Sequence, residues 1–282
     1  APPDWAAYRE KLTRWVAEAA GSGADLLVFP EYAAMELAAL AGPDAAGSVD
    51  GAMQAVSERM EDAAALHAAL AREFGVHILG GSGPVFVGSR AVNRAHLFAP
   101  AGAVGTQDKL IPTRYERETM DLGSGGPLRL FETALGKIGV LICYDAEFPL
   151  LGHALAKAGA EIILVPSCTD ALSGYSRVRI GAMARALEGQ CVVVQAPTVG
   201  DAAWCPVVDE NTGAAACYGP PDIGFPETGV MAEGGMNRPS WVHAAVDRAA
   251  IAAVRREGRV LNLAHWQEQP AAEQPPEIVP LA

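Results

Sequence analysis

The sequence predicts an α/β fold made of two similar halves packed around one core. Three observations carry that prediction. Short apolar runs alternate with longer stretches whose apolar residues recur at helical spacing, the pattern of strands buried on both faces and linked by helices. Gly23-Ala24-Asp25-Leu26-Leu27-Val28-Phe29-Pro30 is echoed by Gly159-Ala160-Glu161-Ile162-Ile163-Leu164-Val165-Pro166, each after an Ala-rich stretch. No low-complexity linker divides the 282 residues. One domain over 1–266 is therefore expected, followed by a Pro-rich tail at 267–282.

Trp5, Tyr8, Leu12, Trp15, Val16 and Ala19 share one helical face, predicting a helix over 5–20 that Gly21-Ser22-Gly23 stops. Residues 26–29 read as a short buried strand ending at Pro30-Glu31. A helix over 53–74 precedes a strand over 76–80, and the alternation in 92–98 predicts a half-exposed strand. Residues 104–109 lead into the loop Ile111-Pro112-Thr113. The second half repeats this grammar with a strand over 137–144, a helix over 150–158 and a strand over 161–166. A helix over 176–189 and a strand over 191–195 follow. Gly, Pro and Asn crowd 204–233, which predicts short strands and a long surface excursion. A strand over 241–246 and a helix over 248–257 close the series. The tail is expected to run extended, docked on a neighbour or mobile.

Bulk properties narrow the function classes. Half of the residues (50%) are hydrophobic, ample for a large core. A formal charge of −12 argues against nucleic acid and anionic membranes as partners, despite a modest cluster of Arg177, Arg179 and Arg185. No apolar run reaches the ~18 residues of a membrane span, and no charged and then apolar leader opens the sequence. The five cysteines (Cys143, Cys168, Cys191, Cys205 and Cys217) are an odd number without C-x-x-C spacing. They suit neither a disulfide framework nor a zinc site, so a reducing, cytoplasmic setting without metal or other cofactor is expected.

Cysteine is among the most often buried residue types, and Cys143 alone reads as packing. Its context reads otherwise. An apolar strand, then Cys143-Tyr144-Asp145-Ala146-Glu147-Phe148-Pro149, then a helix, describes a sharp turn that exposes a thiol beside backbone N–H groups. A thiol with pKa near 8.5 needs a base or a cation at neutral pH. His67, His77, His96, His153, His243 and His265 form no Cys–His signature, so the base must come from elsewhere.

Three blocks supply it: Val28-Phe29-Pro30-Glu31, Asp108-Lys109-Leu110-Ile111-Pro112, and the stretch from Gly139 to Pro149. In order and separation they resemble the signature blocks of the nitrilase (carbon–nitrogen hydrolase) superfamily. Met183-Ala184-Arg185-Ala186-Leu187-Glu188-Gly189-Gln190 resembles a fourth recurrent segment. Singly, Glu31 reads as a surface carboxylate and Lys109 as a solvated loop charge; the joint pattern reverses both readings.

The resemblance implies a four-layer α-β-β-α sandwich that pairs through its helices as a homodimer or a higher homo-oligomer. It implies Glu31 as general base, Lys109 as oxyanion-stabilising cation and Cys143 as nucleophile. A second glutamate follows the lysine in the family; Glu116 is the choice and Glu118 its rival. Tyr144 is expected to give a backbone N–H to the oxyanion, while Ser167, Cys168, Thr169 and Tyr175 are expected to line the substrate pocket. Arg185 and Glu188 read as packing or interface residues. The implied reaction is hydrolysis of a small carboxamide or N-carbamoyl compound to an acid plus ammonia or amine, through a thioester. Nitrile hydrolysis is less favoured, because nitrilases carry Cys-Trp-Glu where this chain has Cys143-Tyr144-Asp145. Acyl transfer by the same triad and a non-catalytic, metabolite-binding member are the alternatives. Two departures stand out. The family opens with a strand before the first helix, so one strand fewer is expected here, and the segment 211–238 is long enough to form a lid or an oligomer contact.

Overall fold

The computed structural model describes residues 1–269 and 276–281. Helix α1 (Trp5–Gly21) starts at Asp4, whose carboxylate accepts the Ala7 N–H, and buries Tyr8, Leu12, Val16 and Ala19. Gly23 then takes a left-handed φ of +85°, which only glycine adopts without strain, and strand β1 (Leu26–Val28) follows. A 3-10 run over Ala33–Ala41 leads to α2 (Pro43–Ala46), α3 (Val49–Ser57) and α4 (Met60–Phe74).

The helix expected over 53–74 is thus two helices. Buried Met53, Val56, Met60, Ala63 and Leu70 keep one helical spacing across the break, which is why periodicity alone joined them. The helices serve different neighbours: α3 packs on the 3-10 run and on β3 (Gly83–Val87), where Ser57 Oγ accepts the Phe86 N–H at 3.0 Å. By contrast, α4 packs on α1, β2 (His77–Leu79) and β4 (Arg90–Phe98).

With β5 (Val104–Asp108), these strands form the first sheet. The long β4 holds it together, pairing along one side with β3 and β2 in succession and along the other with β5. β3 escaped the sequence reading because Gly and Pro crowd its start; Pro84 suits an edge strand.

A short helix α5 (Arg114–Glu118) precedes the second sheet. That sheet is built from β6 (Leu130–Thr133), β7 (Gly136–Val140), β8 (Ile162–Ser167), β9 (Val192–Pro197), β10 (Ala216–Tyr218) and β11 (Val230–Glu233), in the order β11-β10-β9-β8-β7-β6. Its middle strands β7, β8 and β9 are parallel; α6 (Pro149–Lys157) and α7 (Leu172–Gly189) connect them. The facing sides of the two sheets share a core in which Leu79, Ala95 and Leu97 meet Ile138, Val140 and Ile162. Helices outside each sheet complete four layers, α-β-β-α.

The chain continues through α8 (Arg248–Glu257) and α9 (Asn262–His265). The strand expected over 241–246 does not form. β1 pairs with β2 on one edge only. Residues 26–29 and 241–246 both line a groove of about 1030 Å³. Residues 241–246 run as irregular chain, with Trp241 packed on Phe29 and its Nε1 donating to the Trp15 carbonyl. The expected tail over 267–282 lies partly outside the described residues; within them, Ile278, Val279 and Leu281 are exposed. No helix among the described residues is long and apolar enough to cross a membrane.

Candidate active site

Four side chains from four separate segments meet where the sheets end. Glu31 follows β1, and Tyr32 behind it adopts a left-handed φ of +57°, a conformation kept where surrounding contacts enforce it. The enforcing contacts are a hydrogen bond from the Tyr32 N–H to Ser82 Oγ and one from Thr198 Oγ1 to the Glu31 carbonyl. Lys109 follows β5, its N–H donating to the Asn93 carbonyl of β4 at 2.8 Å. The Lys109 ammonium lies between two carboxylates, 2.8 Å from Glu31 Oε1 and 2.8 Å from Glu116.

Glu116 reaches the ammonium because a capping box with Thr113 starts α5 and pins the carboxylate. Its oxygens also accept from the Thr113 N–H at 2.7 Å and the Tyr32 hydroxyl at 2.6 Å. Glu118, the rival candidate, pairs with Arg114 in solvent. Glu116 thus belongs to a charged helix start and also faces the lysine.

Cys143 opens a 3-10 turn (Cys143–Glu147) with a left-handed φ of +53°. Its Sγ lies 3.7 Å from the Cys168 carbonyl at the end of β8. The first N–H groups of such a turn have no partner within it and form a polar rim. Asp145, fully buried, ties this turn to the lysine loop: its carboxylate accepts N–H groups from Leu110, Ile111 and Ile142 at 3.2, 2.9 and 3.2 Å.

Electrostatics distinguish the four groups. Burial raises Glu31 to about 7, with Lys109 opposing and Glu116 adding to the rise. Burial also works against the Lys109 ammonium, but Glu31 and Glu116 outweigh it and hold its proton well above the usual lysine value. Glu116, equally buried, stays below the ordinary carboxylate range because Lys109, Tyr32 and Thr113 overcome desolvation. The Cys143 thiol is pushed well up by burial and then by Glu31. The resting site thus holds a protonated thiol, a cation, a fixed anion and a carboxyl poised near neutrality.

The remaining expected residues divide into two groups. Tyr144 stacks edge-on against Phe148, 4.8 Å between centroids. Cys168 and Thr169 clamp the segment 198–213 onto the end of β8, through Cys168 Sγ on Asn211 Oδ1 and Thr169 Oγ1 on the Thr212 carbonyl. Ser167 and Tyr175 are buried: the Ser167 hydroxyl has no hydrogen-bond partner among the described residues, and Tyr175 neighbours Tyr218 and Arg179. Sequence reasoning passed over Asn93, Tyr32 and Thr198. For Asn93 the sequence offered no distinct signal, because its strand also carries Arg90, Arg94 and His96. Among the described residues no group of three or more His, Cys, Asp or Glu side chains is arranged to hold a metal ion.

The comparisons with known proteins bear on this arrangement. The probable hydrolase YhcX of Bacillus subtilis is 33% identical over 256 residues, covering 91% of this chain and 49% of that protein. The chain therefore spans about half the length of this relative. Omega-amidase NIT2 of Danio rerio is 28% identical, over 86% of this chain and 83% of the relative. Among solved structures, a carbon–nitrogen hydrolase from Helicobacter pylori G27 superposes with a TM-score of 0.75 at 18% identity, covering 94% and 90% of the two chains. A mutant of the Nesterenkonia AN1 amidase from the nitrilase superfamily gives 0.68 at 22%, covering 96% and 91%. The family model for carbon–nitrogen hydrolase matches residues 2–256, a span that contains every side chain of the cluster. The chain belongs to the carbon–nitrogen hydrolase family.

Proposed function

We propose that the chain hydrolyses the C–N bond of a small carboxamide or N-carbamoyl compound, giving an acid plus ammonia or an amine. The observation that carries this reading is a buried lysine held between two buried carboxylates, in one cluster with a buried, protonated thiol. Such a thiol needs a base at the moment of attack. Glu31, poised near neutrality, suits a group that must take a proton and then return it.

Glu31 takes the Sγ proton while sulfur attacks the carbonyl carbon. The C–S bond forms, and the carbonyl π pair moves onto oxygen. Lys109 and the Tyr144 N–H stabilise that oxyanion, a kind of interaction typically contributing about 3–4 kcal/mol per donor in a dry site. Glu31 then returns its proton to nitrogen, the C–N bond breaks, and a thioester remains. Water, deprotonated by Glu31, attacks the thioester; the C–S bond breaks and the sulfur recovers its proton. Glu116 keeps Lys109 charged and aimed. Tyr144, Cys168 and Thr169 form the wall facing substrate, with Ser167 and Tyr175 behind it. The name of the omega-amidase relative supports an amide substrate.

The shared core of the two sheets supports one domain over 1–266. Exposed Leu150 on α6 and Leu172, Ile180 and Leu187 on α7 support pairing of two chains through these helices. Five free thiols suit a reducing, cytoplasmic compartment.

The test is ammonia release from a panel of small amides, carbamoyl-amino acids and nitriles. Wild type is expected to turn over an amide, with kcat/KM rising between about pH 6 and 8 as Glu31 ionises. Cys143→Ala is expected to lose on the order of 10³-fold or more. Equal turnover by Cys143→Ala sinks the proposal, as does silence across the panel with Cys143 inert to iodoacetamide.

A further inference from the structure

The two carboxylate oxygens of Glu31 have different surroundings. Oε1 accepts from Lys109 Nζ at 2.8 Å and from Asn93 Nδ2 at 2.9 Å, and Oε2 receives neither bond. Asn93 lies inside β4, opposite Pro84 of β3, and is 1% exposed. Its backbone carbonyl accepts the Lys109 N–H at 2.8 Å, so one residue touches both Glu31 and Lys109. Its neighbour Arg94 grips Asp108, the residue before Lys109, through two hydrogen bonds at 2.6 and 2.9 Å. The register that brings Asn93 to the site is therefore fixed from both sides.

Stability does not account for an asparagine here. Asn is disfavoured in strands, and Asn93 Oδ1 is buried without a partner among the described residues, which destabilises the fold. A buried apolar side chain of similar volume would avoid both penalties.

We propose that Asn93 is a positioning residue of this hydrolytic site: it occupies Oε1 of Glu31, so that Oε2 is the oxygen exchanging the proton with Cys143, and it keeps the base ionised for attack. The inference rests on the hydrolase reading. A proton placed on Oε1 would have to displace a donor; on Oε2 it displaces none. Lys109 divides its three N–H donors among Glu31, Glu116 and the oxyanion as it forms, so its pull on Oε1 weakens in that step. Asn93 is neutral and makes no bond to Glu116, so its hold on Oε1 persists through that step. A hydrogen bond donated to a carboxylate favours the charged form, so removing it makes Glu31 harder to ionise.

The experiment compares wild type with Asn93→Leu, Asn93→Ala and Asn93→Asp, measuring the pH dependence of Cys143 alkylation by iodoacetamide and of kcat/KM. The acid limb of both profiles is expected to move up by about one pH unit in Asn93→Leu and Asn93→Ala. The loss would then be about tenfold greater at pH 6 than at pH 8.5, with little change in KM. Asn93→Asp, which places a second acid beside Glu31, is expected to move the limb further in the same direction. It also serves if the apolar variants fail to fold. A loss that is uniform with pH and leaves the midpoint in place would make Asn93 merely structural, and no loss would remove it from the site; either result overturns the inference. Alkylation needs no substrate, so an unmoved midpoint in an enzyme that still turns over an amide rejects this inference alone. Absence of Cys143-dependent turnover rejects the hydrolase reading instead.

Discussion

Strands β1 and β8 end in closely similar runs, Asp25 to Pro30 and Glu161 to Pro166, and then deliver different groups to the same centre. After Pro30 comes Glu31, whose carboxylate enters a cluster with Lys109, Asn93 and Glu116. After Pro166 comes Ser167, a hydroxyl with no partner among the described residues, and then Cys168, whose carbonyl faces the thiol. The contrast follows from what lies beside each strand. β1 belongs to the sheet whose β4 and β5 bring an amide and an ammonium to its end, and those donors make a buried carboxylate tolerable. β8 lies between β7 and β9, strands rich in apolar residues, and no described side chain gives or takes a hydrogen bond at the Ser167 hydroxyl. A buried charge is kept only where it is paired and hydrogen-bonded. The helix–strand unit sets where a group is delivered, and the neighbouring strands decide which group can be charged.

Exchanging single groups at the two ends tests that contrast most severely. Glu31→Gln keeps the shape and the Lys109 contact but cannot take a proton, and is expected to lower kcat on the order of 10³-fold. Ser167→Ala, at the equivalent position, is expected to change kcat/KM by less than about threefold. It should leave stability unchanged or slightly raised, since it deletes an unpaired hydroxyl. Amide turnover and denaturant midpoints for the two variants check this. Comparable losses would mean that both ends carry chemistry, and the asymmetry drawn here would be wrong.

Asp145 gives a smaller effect that sharpens the same point, because it joins the two sheets' contributions. It links the loop after Lys109 to the turn holding Cys143. Asp145→Asn replaces one acceptor oxygen by a donor facing N–H groups. A loss of about 1–3 kcal/mol in stability is expected, with a tenfold to hundredfold fall in kcat/KM as nucleophile and cation drift apart. Burial raises Asp145 to about 6 in the wild type. Below that pH it becomes protonated and the link weakens, in addition to the loss of Glu31 as base near 7. The acid limb of kcat/KM is therefore expected to be steeper below pH 6 than one ionisation allows. A limb with the slope of a single proton down to pH 5 would show that the link does not titrate with activity.

What could be read in the sequence follows the same division. The strand–helix units around Val28-Phe29-Pro30 and Ile142-Cys143-Tyr144 were legible because apolar runs and periodicity are local signals. The break between α3 and α4 was not, since its cause is Ser57 binding a strand distant in sequence. The irregular course of 241–246 was not either, since Trp241 is held by Trp15 and Phe29, both more than 200 residues away in sequence. Glu31, Lys109, Glu116 and Cys143 could be named from motif order. Asn93 and Tyr32 could not, because their roles exist only once β4 and the turn after β1 have been brought to the cluster.

Tyr32 offers the smallest effect and the finest division of roles. It follows Glu31 as Cys168 follows Ser167, and its hydroxyl donates to Glu116 Oε1 at 2.6 Å. Burial, followed by the charges of Glu116 and Glu31, holds the phenol proton well above its usual value, so Tyr32 remains a donor throughout the working pH range. Tyr32→Phe removes one of several bonds to Glu116 and leaves those from Lys109 and Thr113. Lys109 keeps its charge but loses some of its aim, and kcat is expected to fall about threefold to tenfold. Because Tyr32 does not titrate and Glu116 stays ionised, the fall should be the same from pH 6 to pH 8.5, unlike the moving limb expected at Asn93. A pH-dependent loss in Tyr32→Phe would mean that Glu116 shares the proton with Glu31. The two carboxylates flanking Lys109 would then act as one titrating pair, and the division between a base and a fixed anion would have to be abandoned.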